Sequence, residues 1–178
     1  MKTRPWLGVV TAILVATLVG IALLPIQGAL AELMRREEAG QMILESQQTL
    51  QDQTGESWQV VAQRRFENDS ATSFCLRLVG PASTANILRD RPLRLQLASG
   101  QWLEAPDNSC DFFPNASPAP HVAQYDLRAG ASPLMETTSL RLSVPGQNET
   151  TYRLEVPNNV LEEWQTVAAC ATLFCDPN

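Results

Sequence analysis

Lysine is all but missing from this chain of 178 residues: lysine and arginine together number thirteen, and the only lysine is Lys2. Arginine stays protonated under ordinary conditions, so Schiff-base and lysine general-base chemistry are excluded from the body of the protein. Histidine occurs once, as His121, and a single imidazole cannot build a histidine-based metal site. No Gly-x-Ser-x-Gly turn marks a nucleophile, and the cysteines lack the paired Cys-x-x-Cys spacing of a zinc site. Cations do not outnumber acids either. The formal net charge of −6 argues against DNA, RNA or an anionic membrane surface as a partner, since these are held by clustered cations.

The one long apolar run stands at the N-terminus. Lys2 and Arg4 lead into an uncharged stretch from Trp6 to Leu24, followed by Pro25, Gly28 and the small-x-small triplet Ala29-Leu30-Ala31. This order reads as a secretion signal, residues 1–31, removed before Glu32. A retained anchor is the competing reading, because about 20 apolar residues are enough to cross a bilayer. Either way the remainder is placed beyond the membrane. The mature part would hold eleven arginines against nineteen acidic residues, a net charge of −8, in a length suited to one domain.

Residues 32–41 are polar and charged, and are expected to be a flexible lead. A single β-rich domain over 42–170 and a tail over 171–178 should follow. Met42–Gln51 and Ser57–Phe66 flank the turn-like Asp52-Gln53-Thr54-Gly55, which predicts a first hairpin. Ser73–Val79 alternates, with Phe74, Leu76 and Leu78 on one face and Cys75 and Arg77 on the other. Leu93–Leu97 with Gln101–Ala105 predicts a second hairpin, and Leu140–Val144 with Tyr152–Val156 a third. The segment 106–120 has four prolines and no period, so it reads as a long surface loop; His121–Leu127 reads as a short strand. Val160, Leu161, Trp164, Val167 and Ala168 recur at helical spacing after Asn159, which with Glu162 resembles a capping box. The fold class is therefore mainly β: an antiparallel meander forming a small barrel or a two-layer sandwich, with one C-terminal α-helix. The barrel form is preferred.

Ser57-Trp58-Gln59-Val60-Val61, Leu76-Arg77-Leu78-Val79-Gly80, Arg91-Pro92-Leu93, His121 to Leu127 and Glu163-Trp164-Gln165-Thr166-Val167 resemble segments of a cyanobacterial family catalogued as a domain of unknown function, number 3122. The resemblance covers nearly all of the mature domain and carries no catalytic signature. It implies an exported protein of the periplasm or thylakoid lumen, with no established activity to transfer to any residue here, and it implies no cofactor. The four cysteines are not part of the family's pattern.

Cys75, Cys110, Cys170 and Cys175 make an even number in an exported chain and read as structural disulfides. Three pairings are open; Cys75 with Cys110 and Cys170 with Cys175 is favoured. Asp107, Asn108 and Asp111 offer calcium-type oxygens, but without an EF-hand spacing they read as a solvated loop. Arg89, Asp90, Arg91 and Arg94 form the densest cationic run, read as a solvated face or an ion pair. Trp58, Trp102, Tyr125 and Tyr152, with His121, are the candidate contacts for a ligand or partner. The expected function is non-catalytic binding of a protein partner in an accessory or assembly role. The alternative is a carrier or sensor for a small apolar ligand in an aromatic-lined cavity, with membrane contact only if the N-terminal segment is retained.

Overall fold

Among the described residues nine strands form two antiparallel sheets, and alternation of apolar and polar residues along most of them gives each sheet an apolar face that meets the other. A computed structural model describes residues 33–38, 41–113, 117–172 and 175. The predicted signal, residues 1–31, lies outside them. The first sheet has the order β1-β2-β3-β4-β7, from Met34–Glu38, Gln41–Gln51, Ser57–Glu67, Ser70–Val79 and Val122–Asp126. The second has the order β6-β5-β8-β9, from Leu93–Leu97 (β5), Trp102–Ala105 (β6), Leu140–Pro145 (β8) and Thr151–Val156 (β9). Trp58, Val60, Phe74, Leu76 and Leu78 of the first sheet and Leu95, Leu142, Val144 and Leu154 of the second belong to one buried core.

The three predicted hairpins form, and β7 occupies the strand predicted over 121–127. The arrangement is an open, sandwich-like pair of sheets and not the preferred closed barrel. The physical reason is connectivity: the chain passes from the first sheet to the second after β4, returns for β7 and crosses again to β8. The β4–β7 and β5–β8 pairings are therefore between strands distant in sequence.

The expected flexible lead is also corrected, because Met34–Glu38 pairs with Gln41–Glu45 as an edge strand. Backbone hydrogen bonding overrides side-chain polarity there, since an edge strand needs no apolar face toward solvent. A tight turn that the sequence reading passed over joins β3 to β4 through Asn68 and Asp69, both at positive φ (49° and 63°). These are the residue types that tolerate the left-handed region of a two-residue hairpin.

Among the described residues three α-helices complete the domain: α1 (Ser109–Phe112), α2 (Ala131–Glu136) and α3 (Asn158–Ala169). The 106–120 loop thus contains a helical turn, and α2 was not anticipated. The apolar stripe of α3, Val160, Leu161, Trp164, Val167 and Ala168, is buried as its spacing predicts. Its start differs from the capping-box reading. Pro157 is the N-cap, its carbonyl accepting from the Leu161 N–H at 2.9 Å, so Asn159 sits inside the first turn and no side-chain cap forms. Glu163 instead turns toward the first sheet, accepting from Ser46 Oγ at 2.7 Å and Gln48 Nε2 at 2.9 Å. Past the helix, Cys170 and Cys175 form the favoured disulfide, with Cα atoms 5.4 Å apart.

Candidate functional site

The residues singled out for an aromatic-lined cavity do not gather around one. Trp58 and Tyr125 are fully buried in the core. Trp58 packs against Tyr152, ring centroids 4.9 Å apart, and the Tyr152 hydroxyl is held between the Asn86 N–H and the Thr84 carbonyl. Burial pushes the Tyr125 phenol well above its ordinary range, and the nearby Asp107 carboxylate adds to this. Tyr152 and His121 are part-buried, and Trp102 is the exposed member of the group, 40% exposed on the outer face of the second sheet. His121 precedes β7 at a turn, where its carbonyl accepts the Gly80 N–H at 2.9 Å, and its imidazole makes no hydrogen bond among the described residues.

Cys75 is the second place where chemistry was conceivable, and the expected Cys75–Cys110 disulfide is corrected: Cys75 is a free, buried thiol. The side chain of Cys110 lies outside the described residues. The link between loop and sheet is made by hydrogen bonds instead. Asn108 Nδ2 donates to Cys75 Sγ at 3.3 Å, and the Asn108 N–H donates to the Gln124 carbonyl at 2.8 Å. Beside the thiol, Gln63 Nε2 donates to Gln124 Oε1 at 3.0 Å and Arg77 donates to Gln63 Oε1 at 3.0 Å, a polar layer beneath the loop. Burial raises the Cys75 pKa and the Asp126 carboxylate adds to it, outweighing the hydrogen bond from Asn108. A thiol held protonated in this way is a poor nucleophile.

Loop 106–113 uses its own oxygens. Asp107 accepts from the Ser109 N–H at 3.1 Å and from the Ser109 hydroxyl at 2.7 Å. Among the described residues no three His, Cys, Asp or Glu side chains converge to hold a metal ion.

The outer face of the second sheet is different in kind. Leu93, Leu95, Leu142, Val144 and Leu154 point into the core, which sends Arg94, Arg141, Ser143 and Arg153 outward. Register then brings together residues far apart in sequence. Ser143 lies opposite Arg94 on β5 and opposite Arg153 on β9, and Arg141 is two residues back on its own strand. Arg91, just before β5, joins them around a groove of about 580 Å³. Trp102 closes one side, with the Arg94 guanidinium stacked 4.8 Å from its ring centroid. Two of the arginines are engaged: Arg94 lies 3.6 Å from Glu104, and Arg141 lies 2.7 Å from Glu155 and 3.1 Å from Gln96 Oε1. Arg91 and Arg153 make no side-chain hydrogen bond or ion pair among the described residues.

Of the predicted cationic run, only Arg91 and Arg94 belong to this groove. Arg89 is instead tied to the Ala119 and Val122 carbonyls at 3.1 and 2.9 Å. Arg141 and Arg153 escaped the sequence reading as site residues. The alternation in Leu140–Val144 and Tyr152–Val156 already placed them on the wet face, but nothing local shows that β8 lies between β5 and β9.

No curated protein and no solved structure matches this chain. The model of the family described as "Protein of unknown function (DUF3122)" matches residues 31–167, and the chain belongs to that family.

Proposed function

We propose that this protein is a non-catalytic, exported β domain that binds a protein partner in an accessory or assembly role, in a cyanobacterial periplasm or thylakoid lumen. The observation that carries the binding role is the groove around Ser143, where four arginines and a half-exposed tryptophan share one face of a domain whose net charge is negative. Unpaired arginine and exposed tryptophan are the residue types that dominate protein interfaces. Export is supported by the N-terminal order of basic head, apolar run and Ala-Leu-Ala triplet. The Cys170–Cys175 disulfide suits an oxidising compartment.

The carrier reading draws less from the geometry, since Trp58 and Tyr125 are fully buried in the core and Trp102 stands on the outer face of the second sheet. Crosslinking of the tagged protein in its own cell, followed by mass spectrometry, tests location and partner together. The expected result is a discrete exported protein partner and a mature N-terminus at Glu32. Recovery of the protein without any crosslinked partner, or with a bound apolar small molecule, would remove the reading.

A further inference from the structure

We infer that the groove around Ser143 is a carboxylate-binding site that takes an acidic side chain from an extended segment of the partner protein. This rests on the partner-binding reading above and adds the chemistry of recognition. Ser143 is the short residue at the centre of a cross, with Arg94 and Arg153 on the flanking strands and Arg141 and Pro145 two residues away along its own strand. A small side chain there leaves a depression whose walls are guanidinium groups. The Ser143 hydroxyl makes no hydrogen bond among the described residues, so it is available as a donor.

The charges already present argue for an acidic protein segment over a uniformly charged polymer or a membrane. Glu104 and Glu155 stand at opposite margins of the same face, paired with Arg94 and Arg141. A lipid headgroup layer or polyanion would press negative charge onto both, and onto a domain of net negative charge, at a repulsive cost. A discrete carboxylate meets only the centre, where Arg91 and Arg153 have no side-chain partner among the described residues. Arginine engages carboxylates through paired, geometrically specific hydrogen bonds. Trp102, with Arg94 stacked on it, offers an apolar shelf beside the charge for the flanking part of the segment.

The test uses the mature protein and a fluorescein-labelled peptide of alternating Glu and Thr, read by fluorescence anisotropy and by quenching of Trp102. The inference expects saturable binding that weakens as salt is raised. It expects about a ten-fold loss or more in the Arg91→Ala, Arg153→Ala double variant, the loss of charge-assisted hydrogen bonds at the unpaired positions. Ser143→Asp should also abolish binding, because it supplies the carboxylate from within the same chain. All three positions lie on the solvent side of the sheet, and circular dichroism of each variant confirms that it is folded. Equal binding by the variants, or by a peptide with Lys in place of Glu, overturns the inference. So does arginine-dependent binding to phosphatidylglycerol vesicles or dextran sulfate in the absence of peptide binding. In the cell, loss of the crosslinked partner in the Ser143→Asp variant supports the site. Retention of the partner by that variant sinks the site and leaves the partner-binding reading standing, whereas no partner with the wild type removes that reading itself.

Discussion

The indole N–H of Trp58 donates to Asp52 Oδ2 at 3.1 Å, so one of the two fully buried tryptophans of the core is anchored to the turn that starts its own strand. The other oxygen of Asp52 accepts from the Thr54 N–H at 2.8 Å, the Thr54 hydroxyl at 2.6 Å and the Glu56 N–H at 3.1 Å. Gly55, at φ 84°, completes the turn in a conformation that glycine adopts without steric cost. One carboxylate thus fixes the β2–β3 hairpin and satisfies a buried donor that would otherwise be costly.

Asp52 therefore links stability to acid. Burial raises its pKa, but the hydrogen bonds from Thr54, Trp58 and Glu56 outweigh this and hold it below its ordinary value of 3.8. The depressed folded value means that the unfolded chain takes up the proton first as pH falls. Its contribution is complete above about pH 4 and is lost as the pH drops through the folded value. Asp52→Ala should cost about 2–4 kcal/mol at neutral pH, the loss of several hydrogen bonds including one from a buried indole. Urea melts from neutral to acid pH should show the gap between wild type and variant closing at low pH. A gap that does not change with pH would show that the carboxylate charge is unimportant.

Trp164 is fully buried on α3, and its indole N–H has no partner among the described residues. Size, not hydrogen bonding, is then what it contributes. Trp164→Ala should destabilise by about 3–5 kcal/mol through the cavity it leaves. Trp164→Phe should cost much less, since no hydrogen bond is lost. Thermal melts of the two variants check this, and equal losses would contradict it.

Gly80 follows β4 where the chain leaves the first sheet. A Cβ there would lie 2.5 Å from the Ala85 Cβ and 2.8 Å from the Trp58 ring. Gly80→Ala should therefore lower stability by about 1–3 kcal/mol from overpacking. Denaturant midpoints measure the effect; an unchanged midpoint would mean that the loop from Pro81 to Ala85 gives way freely.

Cys75 should resist modification. Its burial and raised pKa predict that iodoacetamide leaves it unlabelled in the native protein at neutral pH and labels it in denaturant, as read by peptide mapping. Non-reducing maps should show the Cys170–Cys175 link. Replacing both of those cysteines with serine should cost roughly 2 kcal/mol on a loop-entropy basis, given the short segment they close. Rapid native labelling of Cys75 would instead point to a reactive thiol.

Local pattern alone determined much of this molecule. Alternation identified the faces of β4, β5, β8 and β9, because a strand's side chains have a period of two whatever it pairs with. The 3.6-residue recurrence of Val160, Leu161, Trp164 and Val167 likewise identified α3 and its buried side. Where backbone pairing decided the outcome, the pattern was silent: Met34–Glu38 is polar yet forms an edge strand, and Asn68-Asp69 turns without a glycine. The favoured Cys75–Cys110 bridge failed for a related reason, since whether two thiols meet depends on how the loop lies over the sheet. The groove was the least legible part. Arg94 and Arg153 are brought to either side of Ser143 only because β8 inserts between β5 and β9, and sheet order is a property of long-range packing.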